Sequence, residues 1–243
     1  MKRAIIIGGT SGIGLEVARI LHSEGWIIGI AGRRTELLNQ IHDQFKERIY
    51  VLTIDVCQES AGDILLKLIG QMGGVDLILN SSGYGKQNKS LEPHIEIDTM
   101  MTNTVGFTRI ITTAYRYFST QGGGHIAAIS SIAGTKGLGA APAYSATKRM
   151  QSQYIQCLAQ KSRMDGVKIT FTDIQPGFVD TDFIKGSNMP MMLSAEHTAR
   201  CIVKALKHKR RKVIIDWKYT IIVGLWKLIP NWLWERLKIS NGK

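Results

Sequence analysis

The sequence predicts an α/β fold in which helices flank both faces of a doubly wound parallel sheet. Short, apolar, largely β-branched runs alternate with segments whose apolar residues follow helical spacing. Polar and glycine residues recur where those runs end. With 243 residues, of which 44% are hydrophobic, the chain can fill one such core. No repeat or linker interrupts the pattern, so we expect one domain over residues 1-215 and a distinct tail over residues 216-243.

The first predicted strand, residues 4–7, is too short for the apolar region of a signal peptide. It ends in a glycine-rich turn that leads into an amphipathic helix: Gly8-Gly9-Thr10-Ser11-Gly12-Ile13-Gly14. Glycines let a backbone turn sharply and approach a pyrophosphate, whose charge the free N–H groups of a helix start can bind. The turn therefore predicts a dinucleotide site or, if it binds nothing, a tight connection between strand and helix. Its spacing departs from the common Gly-x-Gly-x-x-Gly pattern.

The second predicted strand, residues 27–31, is followed by Gly32, Arg33 and Arg34. Many NAD-binding proteins place an acid here for the adenosine ribose. Two guanidinium groups would instead pair with a 2′-phosphate, because Arg offers planar, fork-like donors. The pair predicts NADP (NADPH) as the cofactor, with a solvated, basic helix start at Thr35 as the alternative.

Four further runs predict strands: residues 49–54, 75–79, 126–129 and 167–174. Helices are expected over residues 98–118 and about 142–164. In an open parallel sheet, ligands bind outside the carboxyl ends of the strands. The polar and glycine residues at these ends therefore predict one crevice, formed by Asp55-Val56, Asn80-Ser81-Ser82-Gly83, Ser130-Ser131 and the segment from Pro176 to Thr181.

The helix from about Pro142 carries Tyr144 and Lys148, which lie four residues apart and project from one helix face. A phenol loses its proton near pH 10, so a tyrosine that exchanges protons near neutrality needs a nearby cation. The spacing predicts a general acid/base, Tyr144, whose pKa is lowered by Lys148. A solvated helix face carrying both residues is the alternative that the spacing alone leaves open.

Together with Asn103, these motifs resemble the short-chain dehydrogenase/reductase (SDR) family, in its compact single-domain branch, over residues 1 to about 215. The resemblance implies a Rossmann sheet of about seven strands, with the seventh at residues 212–215. It also implies hydride transfer between NADPH and a carbonyl. It implies that Ser131 hydrogen-bonds the substrate oxygen and that Tyr144 is the general acid/base. Lys148 would bind the nicotinamide ribose, and Asn103 would hold a water in the proton relay.

The resemblance also implies a cofactor-binding set, with Tyr144 and Lys148 at its catalytic end. The other members are Gly8, Thr10, Ser11, Gly12, Ile13, Gly14, Arg33, Arg34, Asp55, Val56, Asn80, Gly83, Pro176, Gly177, Val179 and Thr181. Two departures from the family pattern are mild: Asn80-Ser81-Ser82-Gly83 replaces Asn-Asn-Ala-Gly, and Gly9-Thr10 replaces commoner Ala or Ser. The third is a short substrate lid over residues 182–194, whose methionines, Met189, Met191 and Met192, suggest an open, adaptable apolar site or an ordinary loop.

The net charge of +12 is concentrated near the carboxyl end. Residues 200–243 hold 12 Lys or Arg against two acids, Asp216 and Glu235, which gives +10. Four of the five tryptophans lie in the last 27 residues, namely Trp217, Trp226, Trp232 and Trp234. The apolar run 219–229 is too short to cross a bilayer. The tail could lie in a membrane interface, or it could pack on the domain or a partner subunit over the substrate pocket. Nucleic acid is not expected as a partner.

These observations predict an NADP(H)-dependent oxidoreductase that interconverts a carbonyl and a secondary alcohol, on an apolar or acyl-linked substrate. One alternative is a ketoacyl-carrier reductase, whose acidic carrier would suit the basic tail. Another is an NADP-binding regulatory or scaffold protein without turnover, against which the intact Ser131, Tyr144 and Lys148 argue.

The three cysteines, Cys57, Cys157 and Cys201, are odd in number and lack metal-like spacing. They predict free thiols, no metal site and a reducing compartment. We therefore expect a cytoplasmic protein, with the membrane surface as an alternative location. The family resemblance further implies a homodimer or homotetramer, assembled through the helices around Asn103 and after Tyr144.

Overall fold

The computed structural model describes residues 1–181 and 191–239. Seven parallel strands form one sheet in the order β3-β2-β1-β4-β5-β6-β9, which confirms the predicted fold class. The strands are β1 (Arg3–Ile7), β2 (Ile27–Gly32), β3 (Ile49–Thr53), β4 (Leu77–Asn80), β5 (Gly124–Ile129), β6 (Ile169–Pro176) and β9 (Lys212–Ile215). Two further strands, β7 (Val179–Asp180) and β8 (Leu193–Ser194), form a short parallel pair that periodicity did not predict.

The sheet is buried on both faces, as its continuous apolar strands require. Successive side chains of a strand point to opposite faces. On β1, Ile5 and Ile7 join one hydrophobic core while Ala4 and Ile6 join the other. Helices cover both layers: α1 (Gly12–Ser23), α2 (Thr35–Phe45), α3 (Ala61–Gln71), α4 (Pro93–Met100), α5 (Phe107–Gln121), α6 (Pro142–Met164), α7 (Ala195–Lys207), α8 (Trp217–Leu228) and α9 (Asn231–Trp234).

The predicted helix over residues 98–118 is interrupted. A π-helical turn, Met101–Gly106, separates α4 from α5 and contains Asn103, whose side chain is fully buried. Apolar periodicity could not show this, because a π turn inserts one extra residue into a helix without a composition signal of its own. By contrast, α6 occupies the range predicted for the helix that carries Tyr144 and Lys148, residues 142–164.

The chain doubles back between β1 and β4, since β2 and β3 lie on one side of β1 while β4, β5 and β6 follow on the other. The loops after these strands therefore diverge and leave a crevice at the carboxyl edge of the sheet. Short strands and tight loops bring the predicted site residues to that edge.

The tail is helical and joins the domain directly, since α8 begins two residues after β9 ends and the Asp216 side chain caps it by accepting from the Lys218 amide. Tyr219 and Val223 of α8 pack with Ile132, and Trp234 of α9 is buried. Within the described ranges, no helix has the length and apolar character needed to cross a membrane.

Candidate active site

A pocket of about 390 Å³ follows the carboxyl edge of the sheet. Seventeen of the predicted site residues line it: Gly8, Thr10, Ser11, Gly12, Ile13, Arg33, Arg34, Asp55, Val56, Gly83, Ser131, Tyr144, Lys148, Pro176, Gly177, Val179 and Thr181. Gly14, Asn80 and Asn103 are not among the lining residues. The structure thus brings residues from the ends of β1 to β6 and from two helices, α1 and α6, into a single crevice.

The glycine turn is shaped by a close approach to the loop after β4. Gly8 has φ +79°, and a Cβ at this position would lie 2.6 Å from the Ser82 amide nitrogen. Asn80 shapes the same loop, because its Oδ1 accepts hydrogen bonds from the Ser82 amide (3.0 Å) and hydroxyl (2.6 Å). Gly14 lets α1 sit against the turn, since a Cβ there would lie 2.5 Å from the Gly8 carbonyl oxygen.

The two arginines after β2 are both exposed but differ in their hydrogen bonds. Arg34 Nη2 donates to the hydroxyls of Thr10 (2.7 Å) and Ser11 (2.6 Å), so its guanidinium braces the glycine turn. Arg33 is exposed and also lines the pocket. Asp55 is the one acidic residue among the described lining residues, and its Oδ1 accepts from the Cys57 amide at 3.0 Å. This end of the pocket therefore carries an excess of positive charge.

Ser131, Tyr144 and Lys148 meet at the other end of the pocket. Lys148 is 4% exposed, and its Nζ donates to the Ile129 carbonyl (2.9 Å) and to Gln151 Oε1 (3.0 Å). The same Nζ lies 5.6 Å from the centroid of the Tyr144 ring. The ammonium group is thus held by the end of β5 and by its own helix, close to the phenol.

Burial controls the protonation of this pair. It raises the pKa of Tyr144 to about 12, and a side-chain hydrogen bond with Ser131 opposes the shift. Burial also lowers the pKa of Lys148 to about 8, opposed by the nearby Asp173 carboxylate. In this structure the phenol is a weaker acid than in water, because burial outweighs the hydrogen bond with Ser131. That the Lys148 ammonium lowers the pKa of Tyr144 stays a prediction.

Asn103 holds neighbouring protein groups. Its Oδ1 accepts from the Tyr84 amide (2.8 Å), and its Nδ2 donates to the Tyr84 carbonyl (2.6 Å) and to the Thr147 hydroxyl (3.1 Å). Its backbone carbonyl accepts from Gln151 Nε2 at 2.9 Å. Both amide protons of Asn103 are therefore committed to the protein, which gives this side chain a positioning role between the π turn and α6.

Sequence reasoning missed Gln151 and Gly85. Gln151 is fully buried and links Lys148 to the Asn103 carbonyl, and its position three residues after Lys148 on the same helix face was a usable signal. Gly85 lies against the Tyr144 ring, since a Cβ there would lie 2.4 Å from Tyr144 Cδ2. Nothing in its local sequence indicates this long-range contact.

The tail forms an apolar wall beside this end of the pocket. The Tyr219 ring lies against Gly177, where a Cβ would come within 2.1 Å of it, and the Tyr219 hydroxyl donates to the Met191 carbonyl at 3.0 Å. Phe178 packs edge-on to Tyr219, with ring centroids 6.2 Å apart. Met191 and Met192 are exposed, whereas Met189 and the rest of the predicted lid over residues 182–190 lie outside the described residues.

Comparison with known proteins supports the same assignment of fold. A family model described as short chain dehydrogenase matches residues 2–191. An uncharacterized oxidoreductase of Staphylococcus epidermidis is 32% identical over 210 residues, covering 84% of this chain and 90% of the relative. Among solved structures, an alcohol dehydrogenase from the archaeon Thermococcus sibiricus, complexed with 5-hydroxy-NADP, has a TM-score of 0.78 at 22% identity, covering 88% of this chain and 96% of that one. A variant of actinorhodin polyketide ketoreductase with NADPH has a TM-score of 0.77 at 22% identity, covering 88% and 95%.

Proposed function

Because the chain belongs to the short-chain dehydrogenase family, it is an oxidoreductase, and we propose that it uses NADP(H) to interconvert a carbonyl and a secondary alcohol. The observation that carries the proposal is the convergence of Ser131, Tyr144 and Lys148 in one pocket with Arg33 and Arg34 at its far end. The first three supply acid/base chemistry, and the arginines supply cations for a phosphate.

The residues present fit a phosphorylated dinucleotide. The glycine turn packs against the Ser82 backbone and leads directly into the start of α1. The free N–H groups at such a helix start can bind a pyrophosphate. The exposed Arg33 is available for a 2′-phosphate, while the Arg34 guanidinium donates hydrogen bonds to the Thr10 and Ser11 hydroxyls. When bound, the nicotinamide would supply or accept the hydride.

Ser131 and Tyr144 would act together on the substrate oxygen. Ser131 would orient that oxygen by donating a hydrogen bond, and Tyr144 would exchange a proton with it. A pKa raised to about 12 keeps the Tyr144 phenol protonated at neutral pH, so it is ready to donate. Protonation of a developing alkoxide belongs to the reductive direction, in which the carbonyl is the substrate.

An apolar substrate fits the surroundings of this end. Gly177 lines the pocket, and the Tyr219 ring lies against Gly177. Tyr219 in turn contacts Phe178 and the exposed Met191, and methionine side chains adapt to varied apolar shapes. The proposal requires no acidic carrier protein. Ketoacyl thioesters are included in the test because the basic tail would suit the acidic carrier of such substrates.

The test is a parallel titration of the purified protein with NADPH and NADH, followed by NADPH oxidation with ketones, aldehydes and ketoacyl thioesters. We expect NADPH to bind at least ~10-fold more tightly than NADH, since Arg33 would pair with the extra phosphate. Turnover with an apolar ketone or aldehyde would support the reductase. Equal binding of both cofactors would overturn the NADP assignment, and tight binding without turnover by any class would favour a cofactor-sensing protein.

We further infer a homodimer or homotetramer in the cytoplasm. Its support is an exposed apolar surface on α4 and the π turn, which includes Ile97, Met100 and Val105, together with three free cysteines. Sedimentation velocity of the purified protein measures its oligomeric state directly. A monomer at all concentrations would contradict the inferred homodimer or homotetramer.

A further inference from the structure

Helix α8 is apolar on two opposite faces. One face, with Tyr219 and Val223, is buried against the domain. The other carries residues spaced by four, four and three positions, which places them on one side of the helix. We call this surface the tail stripe: Trp217, Ile221, Leu225 and Leu228, each between 56% and 78% exposed. Trp232 of α9 is a further exposed apolar residue of the tail.

Cations surround the tail stripe. Lys218 and Lys227 project from α8, and Arg236 lies over the Trp232 ring at 5.4 Å. Behind them is an open cavity of about 730 Å³ lined by Lys136, Arg149 and Lys227, with no acidic side chain among its described lining residues. The stripe therefore lies within a strongly positive surface.

Two of the cavity's cations, Lys227 and Arg149, lie close enough to Lys212 to repel its charge. Burial lowers the pKa of Lys212, Asp173 opposes the shift, and the charges of Lys227, Arg149 and Arg211 lower the pKa further. A negatively charged partner would relieve this repulsion. The chain itself offers little such charge here, because residues 200–243 contain only two acids.

We propose that the tail stripe and its cations dock the protein on an anionic phospholipid bilayer, with α8 lying in the plane of the membrane. Trp and Leu side chains suit the boundary between headgroups and acyl chains, and flanking Lys and Arg suit anionic headgroups. A second copy of this chain is a poorer occupant, because an isologous contact would oppose two segments that each carry +10. The rigid attachment of the tail supports docking as a preformed surface: Trp234 Nε1 donates to the Gly137 carbonyl (2.6 Å), and Lys136 Nζ donates to the Ile229 carbonyl (2.9 Å).

The experiment is co-sedimentation of the full-length protein with vesicles of phosphatidylcholine alone or of phosphatidylcholine mixed with phosphatidylglycerol. We expect binding to the mixed vesicles that weakens as salt is raised, and much weaker binding to the neutral ones. The double variant Ile221→Ser/Leu228→Ser should lose at least ~10-fold in vesicle affinity, because two exposed apolar side chains leave the interface. Met164→Ser is the matched control, since Met164 is 80% exposed at the far end of α6.

A second pair of variants tests the charges. Lys218→Gln should lower affinity for the mixed vesicles about fivefold, as one cation near an anionic surface does, whereas Lys67→Gln on α3 should not. NADPH affinity and melting temperature should stay at wild-type values in all these variants, which separates membrane docking from the proposed function and from folding. Equal or absent binding to both vesicle types would overturn the proposal. So would a dimer in lipid-free solution that Ile221→Ser/Leu228→Ser alone dissociates, because a second copy would then cover the stripe.

Discussion

The two ends of the pocket differ in their exposure to solvent. This difference decides whether the protonation of a side chain can be inferred from its residue type alone. At the end of the pocket that carries Arg33, this side chain is exposed to water. At the catalytic end, burial raises the pKa of Tyr144 to about 12 and lowers that of Lys148 to about 8. Where water reaches a group, its chemistry follows from its identity; where the fold excludes water, the surroundings set its protonation.

The largest expected effect is at the buried end. Tyr144→Phe removes the transferable proton while keeping the ring, so we expect carbonyl reduction to fall by ~10²–10⁴. NADPH affinity should stay within several-fold of wild type, because the hydroxyl and not the ring is lost. Single-turnover NADPH oxidation with a substrate found in the panel measures both quantities.

The matched control is Tyr154→Phe, which removes a hydroxyl from the same helix at a partly buried position outside the pocket lining. This variant should retain wild-type turnover. If Tyr144→Phe kept most of its activity, the assignment of Tyr144 as the proton donor would be wrong.

Gly85→Ala should have the next largest effect. Its Cβ would lie 2.4 Å from Tyr144 Cδ2, so either the ring or the loop must move. Displacement of a catalytic group by about 1 Å typically costs ~10² in rate, and we expect that loss in kcat with little change in NADPH affinity. Gly139→Ala is the control, because a Cβ there meets nothing within 4 Å. Wild-type kcat in Gly85→Ala would show that Tyr144 tolerates displacement.

The fold could be predicted from the sequence, but the contact that positions Tyr144 could not. The strands and their polar carboxyl ends were predictable, because a buried parallel strand is a continuous apolar run and chain order fixes which ends meet. The contact between Gly85 and Tyr144 joins residues 59 positions apart, and no local pattern encodes it. The π turn at Asn103 was hidden for a related reason, since its residues resemble those of any helix.

The environments of Arg33 and Arg34 were equally beyond sequence reasoning. The pair predicts two cations at a strand end, but only packing decides that Arg34 turns to Thr10 and Ser11 while Arg33 does not. The signs of the pKa shifts at Tyr144 and Lys148 also depend on burial, which the Tyr-x-x-x-Lys spacing does not report.

At the exposed end, Arg33→Ala should weaken NADPH binding by roughly 10- to 100-fold and leave NADH binding nearly unchanged, because the lost charge-assisted bonds reach only the 2′-phosphate. Arg34→Ala should instead weaken both cofactors by similar factors, since it removes the brace on the turn that holds their shared pyrophosphate. Parallel titration of both variants distinguishes the roles. Equal losses in Arg33→Ala would contradict the assignment of Arg33 to the 2′-phosphate.

The smallest expected effect concerns the pH dependence set by Lys148 at the buried end. With a pKa of about 8, Lys148 is charged below that pH and loses its proton above it, so carbonyl reduction should decline as the pH rises through this region.

Gln151 Oε1 accepts a hydrogen bond from the Lys148 ammonium and favours its charged form. Gln151→Leu removes this acceptor and should move the decline to lower pH by about one unit, whereas Gln151→Glu adds an opposite charge and should move it upward by about the same amount. Gln153→Leu, at an exposed position on the same helix, should leave the profile unchanged. A purely structural role for Gln151 would lower activity evenly across the pH range. Opposite shifts in the two variants would instead establish that the hydrogen bond from Lys148 to Gln151 contributes to the charge of Lys148, beside burial and the Asp173 carboxylate.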